Sequence, residues 1–326
     1  MRTMSKQNVA VVTGGFSKES VISVRSAKIV CENIDKDLYN SYLIIINDNN
    51  WKANIDNKEY AIDKNDFSLT YNNEKILFDK VFMIIHGNPG ENGLLQGYFD
   101  LLKIPYTASS LLTSAITFNK SITQILAKYH GLNVAKSVLL YKNESYNIDE
   151  ILNTVGLPCF VKPNNGGSSI GMSKVNDKSL LKEAIEIAFK EDDEVQIEEF
   201  LKGTEVTCGV LQKDNEIMAL PITEVVSKKE FFDYEAKYNS ALSEEITPAR
   251  ISQELTKKIQ ELSVFVFKKF RCKGVSRIDY IIKNDVPYFI EINTIPGLSE
   301  ASILPQQAKE KGISLKELFN LMLKNI

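Results

Sequence analysis

Cysteine is scarce in this chain. Its four copies in 326 residues, Cys31, Cys159, Cys208 and Cys272, lie far apart with no CxxC pair. That spacing indicates neither a zinc knuckle nor a disulfide framework; all four read as small buried hydrophobes, with a catalytic thiol as the alternative. Long apolar runs are missing too: no stretch approaches the ~20 residues needed to span a bilayer. The N-terminus lacks the basic-then-apolar layout of a signal peptide, so a cytoplasmic protein is expected. Charge of one sign does not accumulate either. The net charge is −3 with acids and bases mixed along the chain, which leaves no electrostatic footprint for DNA, RNA or an anionic membrane. The basic run at residues 268–273 ends an apolar helical segment and reads as its dipole-matched C-terminus. There is no internal repeat, no P-loop GKS or GKT, and no dinucleotide fingerprint. What the length does allow is a large buried core divided among two or three domains.

The first hundred or so residues alternate strand and helix patterns. Residues 9–13 form an apolar strand turned by Gly14-Gly15, and Ser17 is placed to cap a helix through Val21, Val24, Ile29 and Val30. Strands are expected again at 42–46 and 81–85, the second ending in His86-Gly87, with a polar excursion of short strands over 47–78. Such alternation implies a parallel α/β layer whose ligands sit beyond the carboxyl ends of the strands. From Ser109 the pattern predicts a helix over 111–129, then strands and helices up to a strand at 194–199. Strands dominate after Gly203, followed by an aperiodic stretch at 228–245, a helix at 252–270, a hairpin and a helix at 315–323. The expected fold class is α/β, with α+β character after residue 109, in three units: 1–108, 109–203 and 204–326.

The hairpin carries the strongest chemical signal. Residues two apart on a strand face the same way, so Arg277 shares a face with Asp279, and Glu291 with Asn293. Ile278, Tyr280, Ile290 and Ile292 interleave as the buried face. Register decides whether the two polar faces coincide. A two-residue loop at Asn284-Asp285 would pair Asp279 with Ile290. A three-residue loop from Asn284 to Val286 pairs Asp279 with Glu291, Arg277 with Asn293 and Ile278 with Ile292. An odd-length or bulged turn is therefore expected. Oxygen-bearing Asp279, Glu291 and Asn293, without Cys or His, suit a hard cation such as Mg²⁺ that takes remaining ligands from water and substrate phosphates. The plain alternative is a solvated amphipathic hairpin, exposed charge being the default. Against it, this polar face gathers ligands rather than the Lys and Thr usual on a wet face.

Four further segments carry chemistry. The loop from Lys162 to Gly171 offers successive amides and the hydroxyls of Ser168 and Ser169 as an anion nest, or is simply a flexible hairpin; Lys162 at its start suits a phosphate. Glu198-Glu199-Phe200-Leu201 is either a solvated strand end or an edge whose backbone reads a base while a carboxylate accepts from ribose hydroxyls. The aromatic stretch from Phe231 to Tyr238 reads as an Ω-type loop, serving as a lid over a water-sensitive intermediate or as cover for the core. His86, one of two histidines, follows a buried strand and opens the backbone-rich turn Gly87 to Gly93, where it is structural or touches substrate. Glu19, in a first helical turn, complements the helix dipole.

Taken together, these segments resemble the ATP-grasp superfamily and, within it, the D-alanine:D-alanine ligase family. The likeness spans nearly the whole chain. It runs through Gly14-Gly15-Phe16-Ser17-Lys18-Glu19, His86-Gly87, Gly93-Leu94-Leu95-Gln96-Gly97, Phe118-Asn119-Lys120 and Val161-Lys162-Pro163. It continues in Gly167-Ser168-Ser169-Ile170-Gly171, Asp233-Tyr234-Glu235-Ala236-Lys237-Tyr238, Arg277-Ile278-Asp279 and Glu291-Ile292-Asn293-Thr294. The resemblance implies an N-terminal α/β substrate domain followed by a two-part ATP-grasp fold, with a lid loop at 228–245. ATP would lie between the two parts, held by Lys120, Lys162, Ser168, Ser169, Glu198, Glu199, Phe200, Leu201 and Glu205, with Lys237 reaching in from the lid. Asp279, Glu291 and Asn293 would hold two Mg²⁺ ions, with Mn²⁺ as the alternative metal. Glu19 would bind the ammonium of a first D-alanine and His86 would help hold that substrate. Arg277 and the Gly297 amide would stabilise an oxyanion, and Ser302 with Ile303 would receive the second carboxylate. A Glu19, Ser168 and Tyr238 hydrogen-bond network would close the site.

The implied reaction is ATP-dependent joining of two D-alanines through an acyl phosphate, giving ADP and phosphate, for peptidoglycan precursor synthesis by a homodimer without nucleic-acid or membrane partners. Its alternatives are a D-alanine:D-lactate depsipeptide ligase and a catalytically silent nucleotide-binding regulator. Phe232 stands where the family often has tyrosine, and Glu199 where lysine is common. The presence of Tyr238 favours an amine as second nucleophile.

Overall fold

The computed structural model describes residues 6–17, 19–48, 50–214, 216–227 and 243–326, and in them the chain builds three sheets. The expected lid stretch from Phe231 to Tyr238, with Phe232 and Lys237, lies outside the described residues. In the first sheet, β1 (Gln7–Gly14) runs parallel between β2 (Tyr39–Ile46) and β7 (Lys80–Met83). The polar excursion between them is β3 (Trp51–Ile55), β4 (Lys58–Asp63), β5 (Ser68–Tyr71) and β6 (Glu74–Ile76), which extend the same sheet from β2 as an antiparallel meander. The apolar run of β1 is buried on both faces, as a central parallel strand should be. Val9 and Val11 join one core, Ala10 and Val12 another. At its end Gly14 has φ +99°, and a Cβ there would lie 2.3 Å from Ile46 O, so only glycine allows the chain to turn toward the site.

The connecting helix α1 (Ser20–Asn33) corrects the expected apolar stripe. Val21 is 63% exposed, and the buried face is Ser23, Ser26, Ala27 and Val30. The serines take this face because they serve loops: Ser23 Oγ accepts the His86 N–H at 3.0 Å and Ser26 Oγ accepts that of Leu298 at 3.5 Å. Helix α2 (Leu94–Leu102), absent from the sequence reading, starts directly after Gly93, whose φ is +91°. The helix expected over 111–129 is two, α3 (Leu111–Phe118) and α4 (Lys120–Tyr129). Asn119 breaks it by adopting extended backbone and capping α4 through its side chain and the Ile122 N–H at 3.0 Å.

The second sheet holds β8 (Ser137–Tyr141), β9 (Cys159–Pro163), β10 (Ser173–Val175) and β11 (Glu194–Glu199) in the order β10-β9-β11-β8, every pairing antiparallel. Helices α5 (Ile148–Val155) and α6 (Leu181–Ala188) complete its separate core. The third sheet runs β14-β13-β12-β15-β16, again antiparallel: β12 (Thr204–Lys213), β13 (Glu216–Ser227), β14 (Ser243–Ile246), β15 (Val275–Lys283) and β16 (Val286–Asn293). Strand β14 takes up the last residues of the stretch read as aperiodic. Pro221 sits inside β13 where the pairing with β12 slips between Cys208 and Val210, the kind of bulge a strand proline requires.

Helix α7 (Gln253–Lys269) backs this sheet, and α8 (Ile303–Glu310) and α9 (Leu315–Lys324) follow β16. One hydrophobic core joins the first sheet to these late elements. Val9, Val11, Phe82 and Ile84 pack with Leu211, Leu304, Phe319 and Leu323, and the Phe82 and Phe319 rings meet edge to face at 5.7 Å. Three cysteines are buried and Cys31 is half-buried. Burial pushes the Cys31 and Cys159 thiols up to about 11 and those of Cys208 and Cys272 up to about 12, which removes the thiolate a nucleophile needs.

Candidate functional site

A cleft of about 500 Å³ opens between the second and third sheets. On its second-sheet wall, Lys162 and Glu198 project from the neighbouring strands β9 and β11 and form a buried ion pair, Nζ to Oε2, at 2.5 Å. The other Glu198 oxygen accepts from Gln124 Nε2. Gln124 Oε1 in turn accepts from Ser137 Oγ at 3.0 Å and Gln196 Nε2 at 2.8 Å. The network engages both Glu198 oxygens, so its carboxylate orients Lys162 toward the cleft. Glu199 is likewise engaged: its Oε1 accepts the Lys136 N–H at 2.8 Å, tying β11 to the segment before β8. Phe160, Met172, Phe200, Leu201, Ile281 and Ile290 supply the apolar lining, with Lys174 Nζ 4.6 Å from the Phe200 ring centroid. Glu205 stands at the same cleft.

The glycine-rich loop is held from both sides. Ser168 and Ser169 occupy the left-handed region, at φ +52° and +56°, a strain of about 1–3 kcal/mol each that surrounding bonds must offset. Lys120, the first residue of α4, donates from Nζ to Gly166 O, and Asn164 Oδ1 accepts the Ser121 N–H at 2.9 Å. From the first sheet, Glu19 reaches across to accept the Ser168 hydroxyl. Two of the three members of the expected network are thus bonded; the third, Tyr238, is outside the described residues.

The hairpin has the register its chemistry demands: Arg277 pairs with Asn293, Ile278 with Ile292 and Asp279 with Glu291. Of the two expected devices, an odd-length turn is absent and a bulge is used, set in the strand rather than at the turn. The turn is two residues long, with Lys283 opposite Val286 and both Asn284 and Asp285 left-handed, as a tight hairpin turn requires. The odd residue is a bulge in β16, between the Asp279–Glu291 and Tyr280–Phe289 pairs. Ile290 is the extra residue, and it lines the cleft beside Glu291, while Phe289 takes the buried place expected of Ile290.

Asp279, almost fully buried, accepts a fork from Arg277, Nε to Oδ1 at 3.0 Å and Nη2 to Oδ2 at 2.9 Å. Thr207 Oγ1 donates to Oδ1, and Asn293 Nδ2 to Oδ2 at 2.9 Å, so the four lone-pair directions of the carboxylate are in use. Burial opposes the Arg277 charge, but Asp279, Glu291 and Glu245 outweigh it and raise its pKa. A hard cation fits this donor set if Asn293 turns its amide to present oxygen, which frees one Asp279 position beside Glu291. Among the described residues no three His, Cys, Asp or Glu side chains converge, so such an ion would draw further ligands from water and phosphate.

Two groups complete the site on the first-sheet side. His86 is buried, and burial, against the pull of Glu19, lowers its pKa, leaving a neutral ring. Its Nε2 has no hydrogen-bond partner among the described residues, which suits contact with a substrate. Glu91, which sequence reasoning passed over within its Gly/Asn turn, accepts the Gly87 N–H at 2.7 Å. At the far end Ser302 stands at the N-cap position of α8 without a side-chain bond to the helix; its Oγ is 2.8 Å from Ser299 Oγ, and a Cβ on Gly297 would lie 2.7 Å from it. Ile303, the first residue of α8, reaches the cleft, so the helix N-terminus and its dipole suit a carboxylate there.

Comparison with known proteins bears on this arrangement. Residues 8–109 match the family model described as D-ala D-ala ligase N-terminus and residues 126–324 the one described as D-ala D-ala ligase C-terminus. The chain is 49% identical to the D-alanine–D-alanine ligase of Flavobacterium johnsoniae, covering 96% of this chain and 97% of that one. It is 47% identical to that of Azobacteroides pseudotrichonymphae, over 98% and 100%. Among solved structures, the VanG D-Ala:D-Ser ligase from Enterococcus faecalis aligns with a TM-score of 0.87 at 33% identity, covering 98% of this chain and 99% of that one. The D-alanine–D-alanine ligase from Bacillus anthracis complexed with ATP aligns at 0.78 and 30%, covering 98% and 97%.

Proposed function

The chain belongs to the D-alanine–D-alanine ligase family, and on that premise we propose that it joins two D-alanine molecules into D-alanyl-D-alanine with ATP, supplying peptidoglycan synthesis. The observation that carries the reading is the Glu19–Ser168 bond, which brings an amino-acid-binding carboxylate from the first sheet onto the loop of the nucleotide cleft. ATP lies in the cleft with its base against Phe200, Leu201 and Ile281 and the backbone of Glu198 and Glu199, its ribose toward Glu205 and its phosphates toward Lys120, Lys162 and Ser169. The family resemblance assigns Lys237 to the same phosphates. Asp279, Glu291 and Asn293 would hold two Mg²⁺ ions, or Mn²⁺, which supply charge neutralisation at the phosphates when bound.

Glu19 receives the ammonium of the first D-alanine, and neutral His86 offers its unpartnered nitrogen to the same substrate. The D-alanine carboxylate attacks the γ-phosphorus, and Lys120 and Lys162 balance charge on the transferring group. ADP departs from an acyl phosphate. The second D-alanine sets its carboxylate at Ser302 and Ile303, and its amine, once deprotonated, attacks the acyl carbon. Arg277, held in place by Asp279, and the Gly297 N–H face the oxyanion until phosphate leaves. Ser168 orients Glu19 through its hydroxyl, and the family resemblance assigns Tyr238 to the same network.

Residues 1–108, 109–203 and 204–326 act as the substrate domain and the two ATP-grasp parts. No helix among the described residues is long and apolar enough to cross a membrane, and we place the enzyme in the cytoplasm. ADP release with D-alanine, D-serine and D-lactate as second substrates tests the assignment. D-alanyl-D-alanine is expected as the dominant product at neutral pH, whereas a dominant ester or D-serine product, or no ADP release at all, would overturn it. A homodimer belongs to the same proposal. Leu101, Leu112, Ile125 and Tyr129 are exposed on three successive helices, apolar surface for a second copy to cover. Light scattering should give the mass of two chains, and Ile125→Lys should reduce it to one.

A further inference from the structure

The turn after β7 holds a carboxylate that the reaction as described does not use. Glu91 Oε2 accepts the Gly87 N–H at 2.7 Å, and the N–H groups of Gly90 and Glu91 both return to Gly87 O at 2.9 Å, so residues 87–91 close on themselves. Buried Gln96 braces the turn through Gly90 O at 2.5 Å. On the other side the turn meets the Glu19 loop, where Phe16 donates its N–H to Asn88 O at 2.9 Å. A Cβ on Gly87 would lie 2.9 Å from Glu19 Oε2 and 2.9 Å from Ser17 Oγ. Glu19 therefore rests on Gly87 with one oxygen while Ser168 holds the other.

We propose that Glu91 is a positioning residue for the first D-alanine: by holding the Gly87 N–H it fixes the wall against which the Glu19 carboxylate is set, and with it the place where the substrate ammonium binds. This rests on the reading of Glu19 as the ammonium receptor. Burial, reinforced by Glu19 and Glu291 against the Gly87 bond and Arg277, pushes the Glu91 carboxyl up to about 8. A neutral acid still accepts from Gly87 through its carbonyl oxygen and adds no second negative charge beside Glu19. Glutamine reproduces both properties.

The test is ADP release with D-alanine and ATP varied in turn. Glu91→Ala is expected to raise the KM of the first D-alanine about tenfold, as a displaced contact does, with the KM of ATP changed less than about twofold. Glu91→Gln should restore the D-alanine KM. Glu91→Asp, which keeps the acid but shortens its reach, should shift it as alanine does, and provides the reading if the alanine variant does not fold. An unchanged D-alanine KM in the alanine and aspartate variants overturns the proposal, as does a glutamine variant as impaired as alanine, or a KM for ATP that rises in parallel. Glu19→Gln serves as the control. If it leaves the first D-alanine KM unchanged, the reading of Glu19 itself fails; if it raises that KM while the Glu91 variants do not, only the role of Glu91 is lost.

Discussion

Asp279→Ala is expected to lower ADP release by about a thousandfold or more and to destabilise the fold in the same stroke. The carboxylate serves three donors in addition to its place beside Glu291: the Arg277 fork, Thr207 and Asn293. Its removal strands the half-buried Arg277 without its partner, a loss of up to about 3–5 kcal/mol, the cost of breaking a buried pair. Asp279→Asn separates the two effects. It keeps the volume and one acceptor oxygen, so more of the stability survives, but it lacks the charge that pairs with Arg277 and that the proposed cation would need. Thermal unfolding should therefore rank asparagine above alanine, while both fail in turnover at saturating Mg²⁺. Full activity in Asp279→Ala would sink the metal assignment.

Lys162→Met should be nearly as damaging, by about a hundredfold or more in turnover with a raised KM for ATP. The ammonium lies where β9 meets the glycine-rich loop and is aimed by Glu198, which Gln124 holds in turn. Methionine fills the volume but leaves the Glu198 carboxylate buried and uncompensated, again a loss of about 3–5 kcal/mol. Adding Glu198→Gln to the variant removes the stranded charge. The double variant should regain most of the melting temperature and none of the activity. Recovery of turnover in the double variant would mean that Lys162 serves the fold and not the phosphates.

These two sites differ in how openly the sequence announced them. The hairpin register could be worked out because alternation on a strand leaves only two answers, and only one gathers the carboxylates. Its device could not: a two-residue turn with a bulge at Ile290 gives the same site register as an odd turn, and the pattern of apolar residues does not separate them. Lys162 was legible as a cation at a strand end, but Glu198 and Glu199 looked equivalent in sequence. Only the pairing of β11 with β9 on one side and β8 on the other shows that one aims a lysine and the other binds the backbone of Lys136.

Helix α1 misled because helical period is read from apolar residues, whereas half of its buried face is serines that bond loops. Helix α2 escaped because Gly97 interrupts its pattern; a Cβ there would meet the Leu111 side chain at 2.7 Å, so the glycine is a packing choice. Glu91 was hidden because an acid among Gly and Asn looks solvated until the turn is folded around it.

The core that unites β1 and β7 with Leu304, Phe319 and Leu323 also constrains how the molecule is made. Domains emerging from the ribosome usually fold in order, the N-terminal one first. Here Val9, Val11 and Phe82 share their core with residues from Leu211 to Leu323, synthesised more than a hundred residues later, so the first sheet waits, with one face uncovered, until α9 has been made. A nascent chain halted before Leu315 would thus display a sticky β-surface and attract chaperones, whereas the second sheet, whose core is drawn only from residues 138–197, could already be complete.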